Sequence, residues 1–301
     1  MGLALPCSGE GKFERMSGTV DVAHELAVFL RARRERLAPE DVGLPLRRRT
    51  RRTPGLRREE VAELAGVSVD YVIRLEQGRG LRPSPDVLDA LSTALRLSDD
   101  EHAYLFDLAR HWSAGRRQSG TEAASLSPVV RALSPLPAMV IDHRFDIVAW
   151  NPEMAWLMLD FPELPEDQRN TLLLCVLHPA FADFYGDRER VIREGIADLR
   201  AAWAARPGDT ALADLVERLR SSSEEFARLW ERRDVHVNGQ GTKALVHPRV
   251  GPLAIAYDVL TPLGDAGRRL IVYRAADAAS EDKLNTVARE ARGGTPALRA
   301  V

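Results

Sequence analysis

Two cysteines in 301 residues, Cys7 and Cys175, are too few and too far apart for a disulfide framework or a zinc knuckle. Both read as free thiols of a reducing cytoplasm. No apolar run approaches the roughly 20 residues that span a bilayer, so no membrane partner is expected. Met1 to Met16 lack a basic stretch followed by a long apolar core, so no secretory signal is expected there. Pro6 breaks the myristoylation pattern. Catalytic signatures are missing too: there is no GxSxG elbow, no HExxH, no GxGxxG and no complete P-loop. Gly9-Glu10-Gly11-Lys12 has the end of a P-loop without its first glycine. The seven histidines are scattered singly, and His236 and His247 have no third ligand near them in sequence. The acid pairs Asp99-Asp100 and Glu224-Glu225 fall in first helical turns, where the helix dipole favours them. No enzyme, metal or cofactor is therefore expected.

Charge is present but unevenly placed. Between Arg31 and Arg82 there are 14 arginines, no lysine and 8 acids, a local charge of +6. The whole chain carries −2, so the remainder carries −8. A basic block on an acidic chain suggests a face for a polyanion.

Helical periodicity runs over Asp21–Arg36, with Val22, Leu26, Phe29 and Leu30 on one face. Arg47–Arg58 is a basic loop containing Pro54-Gly55. A short helix over Arg57–Ala65 ends at Gly66, Ser68 caps the next helix to about Gln77, and Ser84-Pro85 opens a fourth. Ser98 and Glu101 form a capping box for a fifth, ending near Arg110. Five short helices with a glycine turn between the second and third give the layout of a helix-turn-helix. Ala62 and Ala65 let the two helices cross closely, while Val67, Val72 and Leu75 fill the space between them. Val69, Asp70, Ile73, Arg74 and Gln77 then share the outer face of the third helix, which would enter a major groove. Arg74 would read a guanine edge, Asp70 a cytosine amino group, and Val69 and Ile73 a thymine methyl; Tyr71 ranks below them as a base contact. Arg57, Arg58, Ser68, Arg79 and Arg82 flank this face as phosphate contacts.

The phrases RRTPGLRREEVAELAGVS, YVIRLEQGRG and RPSPDVLDALSTAL resemble the actinobacterial branch of the Xre-family, lambda-repressor-like DNA-binding domain, over residues 21 to 110. Val72 departs from that branch, which tends to carry a second aromatic beside Tyr71.

Ser113 to Ser127 is rich in Ser, Gly, Ala and Thr and reads as a linker. Beyond it, strands are expected at Met139–Ile141, Asp146–Trp150, Lys243–His247, Leu253–Leu260 and Arg269–Arg274. Helices are expected at Pro152–Leu159, Asn170–Leu177, Arg188–Ala205, Thr210–Arg220 and Ser221–Trp230. Leu253, Ile255, Tyr257 and Val259 alternate as one buried sheet face requires. Trp150, Met154, Leu157, Met158, Phe181, Phe184, Trp230 and Tyr257 are the candidate ligand-lining residues, the tyrosine through its hydroxyl.

The phrases DIVAWNPEMAWLM, RNTLLLCVLHPAFADFY, EEFARLWERRDV and HPRVGPLAIAYDVL resemble the ligand-binding domain of MmyB-like regulators. That resemblance implies a PAS-like α/β domain with an antiparallel sheet and a pocket for an apolar, fatty-acid-like molecule. The expectation is an α+β chain: an all-α five-helix domain at 21–112, a linker at 113–127, the PAS-like domain at 128–278 and a flexible tail at 279–301. Its expected function is that of a cytoplasmic, dimeric, ligand-responsive regulator of transcription on double-stranded DNA. The alternative is a DNA-binding protein whose second domain only dimerises or recruits a protein partner.

Overall fold

The computed structural model describes residues 21–44, 55–78, 83–111, 126–263, 265 and 267–293. Its first part is five α-helices: α1 Val22–Arg36, α2 Arg58–Ala65, α3 Val69–Leu75, α4 Pro85–Ala94 and α5 Asp99–His111. Each boundary has a local chemical cause. Asp21, Ser68 and Ser84 cap α1, α3 and α4 by accepting from backbone N–H groups that the first helical turn leaves free. Ser98 and Glu101 satisfy each other's backbone N–H ahead of α5. Gly66 closes α2 at φ +65°, a left-handed conformation that a side chain would strain. Leu26, Phe29, Leu56, Val61, Val72, Leu75, Leu91 and Leu105 form the shared core. Of the expected basic loop, 47–54 lie outside the described residues. Gly55 follows it in close packing: a Cβ there would sit 2.5 Å from Glu35 Cα, so only glycine fits.

The second part opens with α6, Ser127–Ala132. The antiparallel hairpin β1 Ala138–Asp142 and β2 Ile147–Trp150 follows. Next come α7 Pro152–Leu157, α8 Thr171–Leu177, α9 Arg188–Ala205, α10 Thr210–Ser222 and α11 Glu224–Glu231. Strands β3 Gln240–His247, β4 Gly251–Leu260 and β5 Arg268–Ala275 precede α12, Ala278–Gly293. One five-stranded sheet results, in the order β2-β1-β5-β4-β3 with every pair antiparallel. Its inner face carries Met139, Ile141, Leu253, Ile255, Tyr257 and Tyr273 into the main core. Val130 of α6 covers Ala138, Val140, Leu270 and Val272 on the other face.

Three details differ from the sequence reading. Ser127 belongs to α6 and not to the linker, whose residues 113–125 lie outside the described set. The helix expected from Ser221 begins instead at Glu224, capped by Ser223, because α10 continues through Ser222 before the chain turns. The expected flexible tail begins instead as α12: Leu284, Val287 and Ala288 are buried, and Asp277 accepts from the Ser280 N–H at its start. Residues 294–301 lie outside the described set.

The two parts pack directly on each other. α5 lies along α9, and Ala204 and Val235 join the N-terminal core. At the centre of this contact the Glu25 carboxylate accepts from Arg200 at 2.8 Å, Arg233 at 2.7 Å and the Tyr104 hydroxyl at 2.8 Å. Burial alone would raise the Glu25 pKa, but the charges of Arg200 and Arg233 hold it below its ordinary value.

Candidate functional site

Among the described residues the outer face of α3 is uncovered. Asp70, Arg74 and Gln77 are exposed, and Val69, Tyr71 and Ile73 are half-buried beside them. Val72 and Leu75 point the other way, into the core. This division follows from the helical period, which places 70, 74 and 77 on one side and 72 and 75 on the other. Among the flanking residues, Arg57 is exposed. The Ser68 oxygen accepts from the Tyr71 N–H, which leaves its own hydrogen free to donate. Arg58 is shared: its Nε donates to Glu76 at 2.8 Å while its side chain stays 40% exposed. Arg79 and Arg82 lie outside the described residues.

Glu76, at the C-terminal end of α3, anchors this face. Arg34 donates to its two oxygens at 2.6 and 3.2 Å, Arg58 donates to one of them, and Arg31 donates to its carbonyl at 2.9 Å. Three of the fourteen arginines of the basic block thus serve the fold that presents α3.

The second candidate site is a cavity between the inner sheet face and α9, with about 730 Å³ of empty space including its mouth. Met139 and Ile141 of β1, Ile271 of β5 and Val259 of β4 give it an apolar floor, with Met158 and Leu172 at the side. Val191, Glu194, Gly195 and Asp198 line it from α9, at the spacing of one helix face. Its polar groups fall at two places. Cross-strand register sets Tyr257 beside Tyr273 and Gly241, with Lys243 one step along β3. Beside the other end of β1, Arg269 stands opposite Ile141 and donates to Asp198. Burial raises the Asp198 carboxyl above its ordinary value in spite of that arginine. Burial lowers the Lys243 amine and raises the Tyr257 hydroxyl.

A family model for the MmyB-like transcription regulator ligand binding domain matches residues 123–286. The chain belongs to this family. A helix-turn-helix domain model matches residues 25–105, which include all of α2 and α3. No curated protein matches the chain at a significant level. This MmyB-like chain is thus a transcription regulator, with its helix-turn-helix and its ligand-binding domain on separate halves. Among the described residues no helix is long and apolar enough to cross a membrane.

In this MmyB-like domain Met158 and Tyr257 line the cavity, as the sequence reading placed them. Trp150, Met154, Leu157, Phe181, Phe184 and Trp230 lie outside its lining, packed in the surrounding core. Trp150 meets Phe161 edge-on at 5.3 Å, Phe181 meets Phe184 at 5.1 Å, and the Arg200 guanidinium covers Trp230 at 4.0 Å. The sequence reading missed Lys243, Arg269, Tyr185, Tyr273 and Asp198. The period-two alternation that selected Tyr257 also selects Lys243, Arg269 and Tyr273 once the strands are paired.

Cys175 lines the same cavity, and burial pushes its thiol up to about 11. The thiolate is the reactive form, so Cys175 is expected to resist alkylation by iodoacetamide at neutral pH in the folded protein and to react after denaturation. Peptide mapping by mass spectrometry checks this, and rapid labelling of the native thiol would contradict it.

Proposed function

We propose that this chain is a sequence-specific, ligand-responsive DNA-binding regulator that works as a cytoplasmic homodimer. The outer face of α3 enters the major groove, with Arg74 and Asp70 reading base edges and Arg57 and Arg58 steering on phosphates. A small, largely apolar molecule of fatty-acid-like character occupies the α9 cavity. One observation carries this reading: α9 touches both the cavity and the DNA-binding half. Residues 191–198 line the cavity, while Arg200, Ala201 and Ala204 of the same helix pack on the DNA-binding half. A ligand that prefers one position of α9 therefore prefers one placement of α1 and α5, which is what coupling between two sites requires.

Native mass spectrometry of the purified chain, before and after solvent extraction, separates loaded from stripped protein. Their affinities for the same duplex are expected to differ by about fivefold or more, the low end of ordinary allosteric coupling. Equal affinities would reject ligand control and leave the second domain a dimerisation or partner-docking unit.

A further inference from the structure

The chain has 42 basic side chains, and only Lys12, Lys243 and Lys283 are lysines. Lys12 lies outside the described residues, and Lys283 donates to the carbonyl of exposed Pro252. Lys243 is turned into the cavity instead, with its nitrogen 4.8 Å from the Tyr257 ring centre and 5.8 Å from that of Tyr185. No hydrogen bond or ion pair joins that nitrogen to a described residue. The acids of the wall are engaged elsewhere: Glu194 accepts from Arg190 at 2.9 Å, and Asp198 accepts from Arg269. In an apolar enclosure the charged form of an unpaired amine is costly, and ring faces offset only part of that cost. Burial accordingly draws the Lys243 amine below its ordinary value. The titratable and charged groups that face it are Tyr185, Tyr257, Cys175 of α8, and Glu194 and Arg190 of α9. Burial holds the Cys175 thiol protonated, so the amine is the available nucleophile of this wall.

We propose that Lys243 is a covalent capture site, which condenses with an aldehyde entering the cavity to form an imine. The nitrogen lone pair adds to the carbonyl carbon, and the C=O π pair becomes a hydroxyl. The carbinolamine then expels that hydroxyl as water while the C=N bond forms. The water carries off the carbonyl oxygen and both amine hydrogens, so no oxidant or reductant is consumed. The aldehyde's apolar body lies over Met139, Ile141, Met158 and Ile271, and exclusion of water from this enclosure opposes hydrolysis of the imine. A lysine freed of its charge by an apolar pocket is suited to this chemistry. The inference rests on the reading of the cavity as a ligand site. It adds a reaction to that site, because a carboxylate does not condense with an amine and a fatty-acid-like occupant would leave Lys243 unmodified.

The test incubates the stripped full chain near neutral pH with decanal and sodium cyanoborohydride, which reduces an imine to a stable secondary amine. Intact mass and peptide mapping then follow the label. The first decyl group is expected at Lys243, formed at least about tenfold faster than at Lys283 in the same sample, because the cavity holds the carbonyl against the amine. In Lys243→Met the fast label should be absent while decanol, which cannot form an imine, still binds by calorimetry. Labelling of Lys243 no faster than Lys283, with decanol bound, would overturn the capture site and leave the cavity a ligand site. So would a fast label that persists at another residue in Lys243→Met. A natural chain that binds neither decanol nor decanal would overturn the ligand-site reading and this inference with it.

Discussion

Replacing Glu76 by alanine is expected to cost about 3–5 kcal/mol, a large share of an ordinary domain's stability. The Glu76 side chain is 2% exposed and neutralises Arg34, whose own side chain is 9% exposed. Without the carboxylate, Arg34 keeps the Leu56 carbonyl at 2.9 Å and the exposed Glu35 carboxylate at 3.2 Å but loses its buried charge partner. Arg58 loses the bond that holds it under α3. Glu76→Gln preserves the shape and one acceptor, so its loss should be smaller. Urea unfolding followed by far-ultraviolet circular dichroism measures both variants. A Glu76→Ala midpoint within error of the natural protein would mean the arginine cluster is solvated and not structural.

Replacing Glu25 by alanine is expected to have a comparable effect with a different signature. Arg200 is fully buried and Arg233 nearly so, and Glu25 stands between them. Alanine leaves these two guanidinium groups of the second half beside each other, without their shared carboxylate, at a cost of about 3–5 kcal/mol. Arg200 retains only the Trp230 carbonyl and the indole face. The pH dependence follows from the lowered native pKa. A carboxylate held below its unfolded value of 4.5 contributes stability above that value. It loses that contribution as the pH falls through the native value. The gap between natural protein and Glu25→Ala should thus be full at neutral pH and shrink as the pH falls below 4.5. A gap that is independent of pH would deny the ion pairs this role. Because Glu25 ties α1 to α9, the variant should also lose any effect of cavity ligand on DNA affinity.

The N-terminal half was legible because its signals are local. Asp21, Gly66, Ser68, Ser84 and the Ser98–Glu101 pair each act within a few residues of their own position, and each marks a helix end in the structure. The strands of the second half were legible too, from alternation, to within a few residues. Their order was not, because β1 pairs with β5 across some 130 intervening residues and no local pattern encodes that choice. The cavity inherits this difficulty. Lys243, Tyr273 and Arg269 come to line one cavity only after β3, β4 and β5 are paired, whereas apolar bulk, and for Trp150 and Met154 a place at the strand-to-helix junction, favoured residues that the fold spends on packing. Glu25 and Arg200 lie 175 positions apart, so the join between the halves has no trace in either segment alone. The helix α12 could have been found from Asp277 as its cap and the spacing of Leu284, Val287 and Ala291; its many charges and small side chains masked that pattern.

The most direct test of the account is selection of bound sequences from a random pool of duplex DNA, run in parallel with the natural chain and with Arg74→Ala. The natural chain is expected to return a two-fold symmetric site, and Arg74→Ala the same site with one position relaxed in each half. An unchanged preference in Arg74→Ala, or no preference in the natural chain, would contradict the placement of α3 in the major groove.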